Sequence, residues 1–357
     1  MQPVISGIQQ VGVGVQNVHT AWQWFRTHFG LDVPVFEEAA VAELMLPYTG
    51  GQPQARHAIL AINTQGGGGM EIWQYTGRTP QPPAFEPMLG DLGIYVCRIK
   101  CMDVVGAHQL FTRRELEVLT APMTDPAGNL HLFIRDPWGN IYDLVQDRDW
   151  FMKGPHLTGG VAGAMIGVSD MDRAMKFYRD ILGFDNVRYD VSGEFADLAA
   201  LPGGGARVRR VLLTHSQPRL GPFSRLCGPN TLELIQRLDG PAPRRIFENR
   251  FWGDLGFIHL CFDVIHMDGL RERCAGAGHP FTVDSARSLG KVFDMGAASG
   301  SFAYIEDPDG TLIEMVETFK LPIAKKYGIF LNLKRRNRIK PLPDWMLKLL
   351  SLNRVKP

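Results

Sequence analysis

The 357-residue chain is short of paired cysteines, of long apolar runs and of excess charge, and each shortage closes off a class of protein. Its five cysteines, Cys97, Cys101, Cys227, Cys261 and Cys274, form no CxxC pair and no even set. That argues against a disulfide framework, suits a reducing compartment, and leaves the thiols as small core hydrophobes. No stretch approaches the roughly 18 uninterrupted apolar residues of a membrane span. The opening MQPVISGIQQVGVGV carries no basic region ahead of its apolar run, so a cytoplasmic location is expected. With 38 Lys and Arg against 37 Asp and Glu, the formal charge of +1 gives no general reason to expect nucleic acid. Two glycine runs, Gly66 to Gly69 and Gly203 to Gly205, lack the Lys-Ser/Thr ending of a phosphate loop and open no helix, so they read as turns.

What the chain does have is internal repetition. FIRDPWGNIYDLVQ (Phe133 to Gln146) and YIEDPDGTLIEMVE (Tyr304 to Glu317) are one phrase written twice: strand, DPxG turn, strand, with Asp143 in the first copy where Glu314 stands in the second. AWQWFRTHFGLD from Ala21 overlays AMKFYRDILGFD from Ala174, an offset of 174 − 21 = 153. Each reads as an amphipathic helix stopped by its Gly. MEIWQ matches LELIQ with Glu71 opposite Glu233, an offset of 233 − 71 = 162, so a small insertion lies between. GDLGIYVCRI from Gly90 matches GDLGFIHLCFDV from Gly253. The order strand, helix, three strands then recurs over roughly 5–76, 90–147, 160–237 and 253–318, with Pro- and Gly-rich connections between the copies.

Over about residues 5–318 this pattern resembles the vicinal oxygen chelate superfamily, which holds glyoxalase I, extradiol dioxygenases, epimerases and bleomycin-binding proteins. The resemblance implies an α+β fold in which four βαβββ modules form two cupped mixed β-sheets. Two tandem domains are expected, 1–150 (modules one and two) and 151–319 (modules three and four), followed by a basic tail, 320–357.

The resemblance also implies where a metal would sit, at one donor near the start of each module's first strand and one in its last strand. Module one offers Gln10 and Glu71, module two Tyr95 or Ile94 with Asp143, module three Gly163 and Glu233, and module four His259 and Glu314. Neighbour pairing, as in extradiol dioxygenases, would join Glu233, His259 and Glu314. Crossed pairing, as in tandem glyoxalase I, would join Gln10, Glu71, His259 and Glu314, and is favoured because it completes the glyoxalase I ligand set. The implied cofactor is one divalent ion (Zn, Ni, Co, Mn or Fe), and the implied activity is that of an isomerase, epimerase or lyase. Glu314 or Glu71 would carry a proton on a small vicinal-oxygen substrate through a metal-stabilised enediolate. Glutathione chemistry is not expected, because the positions of the family's glutathione-holding Arg and Asn are Gly14 and Tyr75 here. The alternatives are a metal-free small-molecule binding protein of the bleomycin-resistance type and an extradiol dioxygenase, the latter needing two His where these positions supply one.

His215 reads as an ordinary residue. The tail holds eleven Lys or Arg against Asp344 alone, and PDWMLKLLSL reads as a short amphipathic helix with Trp345 and Leu347 on its apolar face. It is expected to dock on the domain or on a homodimer mate, with peripheral contact to an anionic membrane surface left open. Its deletion is expected to affect solubility or oligomeric state more than metal content.

Overall fold

In the computed structural model, residues 2–288, 293–294, 299–324, 328–334 and 337–355 are described. Two mixed, curled sheets carry the chain, one of ten strands and one of nine among the described residues. The first is centred on the strand Val4–Gly14, antiparallel to Gly256–Ile265 and parallel to Gly69–Tyr75. It thus combines the first and fourth segments of the repeat. The second is centred on Thr158–Gly167 beside Gly93–Cys101, and combines the second and third. Each half of the chain gives strands to both sheets.

The repeated phrases fold for local reasons. The helix Val18–Phe29 starts where Asn17 accepts a hydrogen bond from Thr20 N, and Met171–Leu182 starts where Asp170 accepts one from Arg173 N. Both stop at a glycine in the left-handed region, Gly30 (φ 65°) and Gly183 (φ 76°), as expected. In the DPxG turns the Asp is the organiser. Asp307 Oδ1 accepts from Asp309 N (2.9 Å) and Thr311 N (2.8 Å), and its Oδ2 accepts from the Tyr178 hydroxyl (2.9 Å). Asp136 does the same for Trp138 N and Asn140 N, at 2.9 Å each.

Strand alternation then divides the residues between two faces. Val11, Ile72, Leu260, Ile313 and Met315 enter the main core, which the helices share through Phe25, Phe29, Phe177 and Tyr178. Gln10, Glu71 and Glu314, at the alternate positions, line the other, concave face.

The C-terminal segment belongs to this body. The last strand of the fourth segment runs on past Thr318 as Leu312–Ala324 and pairs with Ile329–Asn332. The helix Asp344–Lys348 follows, but Trp345 is 62% exposed while Leu347 is buried. The expectation of a shared apolar face is corrected here, since residues two apart on a helix point to different sides. Leu321, Ile323, Leu333, Leu342, Leu347 and Leu350 cluster with Val33, Phe223 and Leu226, docking the segment on the domain. Lys325, Lys326, Arg335, Arg336 and Lys356 of the basic tail lie outside the described residues.

Asp307→Ala, which orphans two buried amides and a tyrosine hydroxyl, is expected to lower the unfolding free energy in urea by about 1–3 kcal/mol. Asp307→Asn retains an acceptor for the two amides and should lose less than half as much.

Candidate metal centre

The antiparallel register of the two central strands sets Gly12 opposite His259 and Gln10 opposite Cys261. The flanking parallel strands place Glu71 beside Gly12 and Glu314 beside Cys261. Four side chains therefore converge from four adjacent strands. His259 Nε2 lies 3.1 Å from Glu314 Oε2 and 3.4 Å from Glu71 Oε2. Gln10 Nε2 lies 3.2 Å from Glu71 Oε2 and 3.4 Å from Glu314 Oε2. One ligand atom each of Glu71, His259 and Glu314 falls within 4.8 Å of the others. The structure thus brings together the crossed quartet and leaves Glu233 and Gly163 in the other sheet.

Space for the imidazole comes from Gly12. A Cβ there would sit 2.4 Å from His259 Cε1, closer than any side chain can approach. The repeats gave no hint of this, because the clash spans two strands far apart in sequence.

The electrostatics suit a cation. Burial alone would lower the His259 pKa, but the carboxylates of Glu314 and Glu71 outweigh it and hold the imidazolium up to about 9. Among the described residues no Lys or Arg pairs with either carboxylate. Both ring nitrogens of His259 and Oε1 of Gln10 are buried without an aligned hydrogen-bond partner. Two carboxylates, an imidazole and an amide oxygen form a donor set for a divalent first-row ion, and such an ion would satisfy His259 Nε2 and Gln10 Oε1. Rotation of the Gln10 amide by a half turn is all that presents its oxygen.

The matching place in the second sheet is closed. The strand register sets Arg98 beside Asp143, as Cys261 stands beside Glu314, which puts Val96 opposite His259 in the repeat. Val96 therefore replaces the expected Tyr95 or Ile94, in keeping with the constant offset of 253 − 90 = 163 between the two GDLG motifs, which carries residue 259 to 96. Arg98 Nε bonds Asp143 (3.0 Å) and Arg210 Nε bonds Glu233 (2.7 Å). His131 Nδ1 lies 2.9 Å from Asp143, and Arg210 reaches Asp197 at 2.7 Å. Tyr189 donates to Glu233 at 2.7 Å. Three cationic side chains face three carboxylates, so Asp143 and Glu233 have fixed counter-ions. Neither Arg98, His131 nor Arg210 stands out in sequence, because each matters through its contact with a carboxylate on another strand or loop.

Around the quartet lies a cavity of about 260 Å³. Tyr304, paired across the DPxG hairpin with Glu314, and Trp73 and Trp252, whose rings meet at 4.2 Å, are lining residues that sequence reasoning missed. Burial, then Glu314 and Glu71, push the Tyr304 phenol well above its usual range, so it stays protonated. Counting outward from the turn pairs residues 304 and 314, a signal that was present in the quoted phrase. The Gly14 and Tyr75 positions serve the scaffold: a Cβ on Gly14 would strike Asp254 O, and Tyr75 donates to Trp252 O. His215 Nδ1 lies 2.7 Å from Gly183 O, away from the site. All five cysteines are free and buried.

Residues 160–315 match the family model described as the Glyoxalase/Bleomycin resistance protein/Dioxygenase superfamily. No curated protein matches in sequence. Among solved structures, glyoxalase I from Zea mays is similar with a TM-score of 0.52 at 14% identity, over 87% of this chain and 92% of that one. A Bacillus subtilis "putative dioxygenase" is similar with a TM-score of 0.57 at 12% identity, over 88% and 86% of the two chains. The fold is that of the vicinal oxygen chelate proteins. The family match is carried by residues 160–315, and over the rest of the chain the likeness is one of fold.

Two outcomes are expected. Gly12→Ala should destabilise the protein by about 1–3 kcal/mol in chemical denaturation, and His259→Ala should remove most of that penalty in the double variant. His131, held up to about 10 by Asp143 and Asp197 against the effect of burial, contributes stability that is whole below its unfolded value of 6.5 and is lost as pH rises through about 10. Unfolding free energy should therefore fall between pH 6.5 and 10 more steeply in the wild type than in His131→Asn.

Proposed function

We propose that the chain is a divalent-metal-dependent enzyme that moves a proton between adjacent carbons of a small vicinal-oxygen substrate, as an isomerase, epimerase or lyase. The observation that carries this reading is the convergence of Gln10, Glu71 and Glu314, which line a cavity, on His259 behind them, with neither carboxylate paired with a Lys or Arg among the described residues. His259, Glu314, Glu71 and Gln10 would hold the ion. When bound, it supplies Lewis acidity toward paired substrate oxygens.

The chain's own residues do the rest. Glu314 and Glu71 both line the cavity and flank one imidazole, so either carboxylate can accept a proton from a carbon beside the substrate carbonyl and return it to the neighbouring carbon. The protonated Tyr304 hydroxyl faces Glu314 as a donor. His259, seated against Gly12 and 1% exposed, is an anchor and not a mobile base. The remainder of the wall is mostly apolar.

The single His distinguishes this donor set from the two-His, one-carboxylate set of extradiol cleavage. A metal-free binding role remains the alternative of a different class, and the paired carboxylates count against it, since without a cation they stand buried beside one imidazolium.

Incubated in deuterated water with a panel of small α-hydroxyketones, the metal-loaded protein should exchange the carbon-bound proton next to the carbonyl. Glu314→Gln should retain much of the metal and lose exchange by at least about a hundredfold. Exchange at the wild-type rate in Glu314→Gln refutes the role given to that carboxylate, and strong turnover of methylglyoxal with glutathione refutes the exclusion of glutathione chemistry.

A further inference from the structure

The cavity at the quartet has a largely apolar lining with no part in proton transfer. Its wall draws on several regions: Phe36 and Ile62 from the first segment, Phe223 and Leu226 from the loop and short helix of the third, Phe302 and Val316 from the fourth, and Leu321 and Leu350 from the C-terminal segment. The same C-terminal segment is pinned in place, since Arg354 Nε lies 2.9 Å from Asp32 and Val355 N donates to Asp32 O at 2.8 Å. Leu321 and Leu350 are buried at 6% and 3%, and pack with Phe223 and Leu226 in one cluster.

Charge on the wall runs one way. The charged lining residues are Glu43, Glu71 and Glu314, and among the described residues no Lys, Arg or His lines the cavity. A carboxylate or phosphate placed away from the quartet would lose its hydration there and meet no counter-charge from the described lining residues. An alkyl chain or an aromatic ring would exchange water for apolar surface instead.

We propose that the ligand of this site is lipophilic. A vicinal-oxygen head lies at the quartet, an uncharged alkyl or aryl body lies along the apolar wall, and Leu321 and Leu350 of the C-terminal segment set the length of body that fits. The head rests on the function proposed above, whereas the body follows from the wall alone. The segment that sequence reading treated as a basic tail is thereby a specificity element.

The test uses the full chain, loaded with Mn(II), and 1-hydroxy-2-alkanones as probes, with binding read by calorimetry and by the fluorescence of Trp73 and Trp252. Across probes from about four to about twelve carbons, affinity should rise about two- to fourfold per methylene and then level off. A probe of equal length ending in a carboxylate should bind at least about tenfold more weakly. Leu350→Trp should bring the levelling to a shorter chain, and Leu226→Trp, from the facing wall, should do so independently of how the first variant folds. His259→Ala should weaken every probe by a similar factor and leave the slope with chain length unchanged. A flat slope with His259-dependent binding would overturn the lipophilic ligand and keep the quartet's role. A steep slope unaffected by His259→Ala would keep the lipophilic ligand and overturn the quartet's role. An unchanged limit in both Trp variants would remove Leu350 and its segment from specificity.

Discussion

Everything in the first sheet turns on two carboxylates that share one imidazole. Glu71 and Glu314 approach His259 from either side, and among the described residues no Lys or Arg is paired with them. Buried like charges are costly unless a cation joins them. The strand register that creates this cost spans modules one and four, so the site exists only because the outermost copies of the repeat pair with each other. Gly12 is the steric counterpart of that arrangement, since any larger residue would displace the ring that the carboxylates need.

The second sheet shows how the same scaffold behaves when that cost is met from within. Asp143 and Glu233 occupy the places of Glu314 and Glu71, yet Arg98 and Arg210 bind them directly. A buried ion pair of this kind is close to neutral as a whole and expensive to break, about 3–5 kcal/mol when one partner is removed. Its cations are covalently fixed, so the second cup is filled by protein where the first has room for an ion. One fold thus holds two versions of a four-strand convergence, a closed structural one and an open one at the edge of a cavity.

Much of this was legible in the sequence, and the parts that were not share a cause. The superfamily resemblance, carried onto the repeated segments, implied Gln10, Glu71, His259 and Glu314 as one possible set. It left the pairing of modules open, since repetition says which residues correspond and not which strands touch. Val96, by contrast, was legible in the sequence: the GDLG motifs share an offset of 253 − 90 = 163, and the same offset carries residue 259 to 96. Arg98, His131 and Arg210 were invisible because compensation is a property of contacts. In the C-terminal segment, charge drew the eye while Leu321, Leu342, Leu347 and Leu350 did the docking. The helix itself was foreseen and its orientation was not, as Trp345 points to solvent.

The most direct measurement is the metal content of the full chain purified without chelators and weighed against protein by elemental analysis. One cup is open to an ion and the other is closed by arginine, so one divalent ion per chain is predicted, lost in His259→Ala and kept in Arg210→Met. No ion in the wild-type chain, or two ions of which one survives in His259→Ala, would contradict the account.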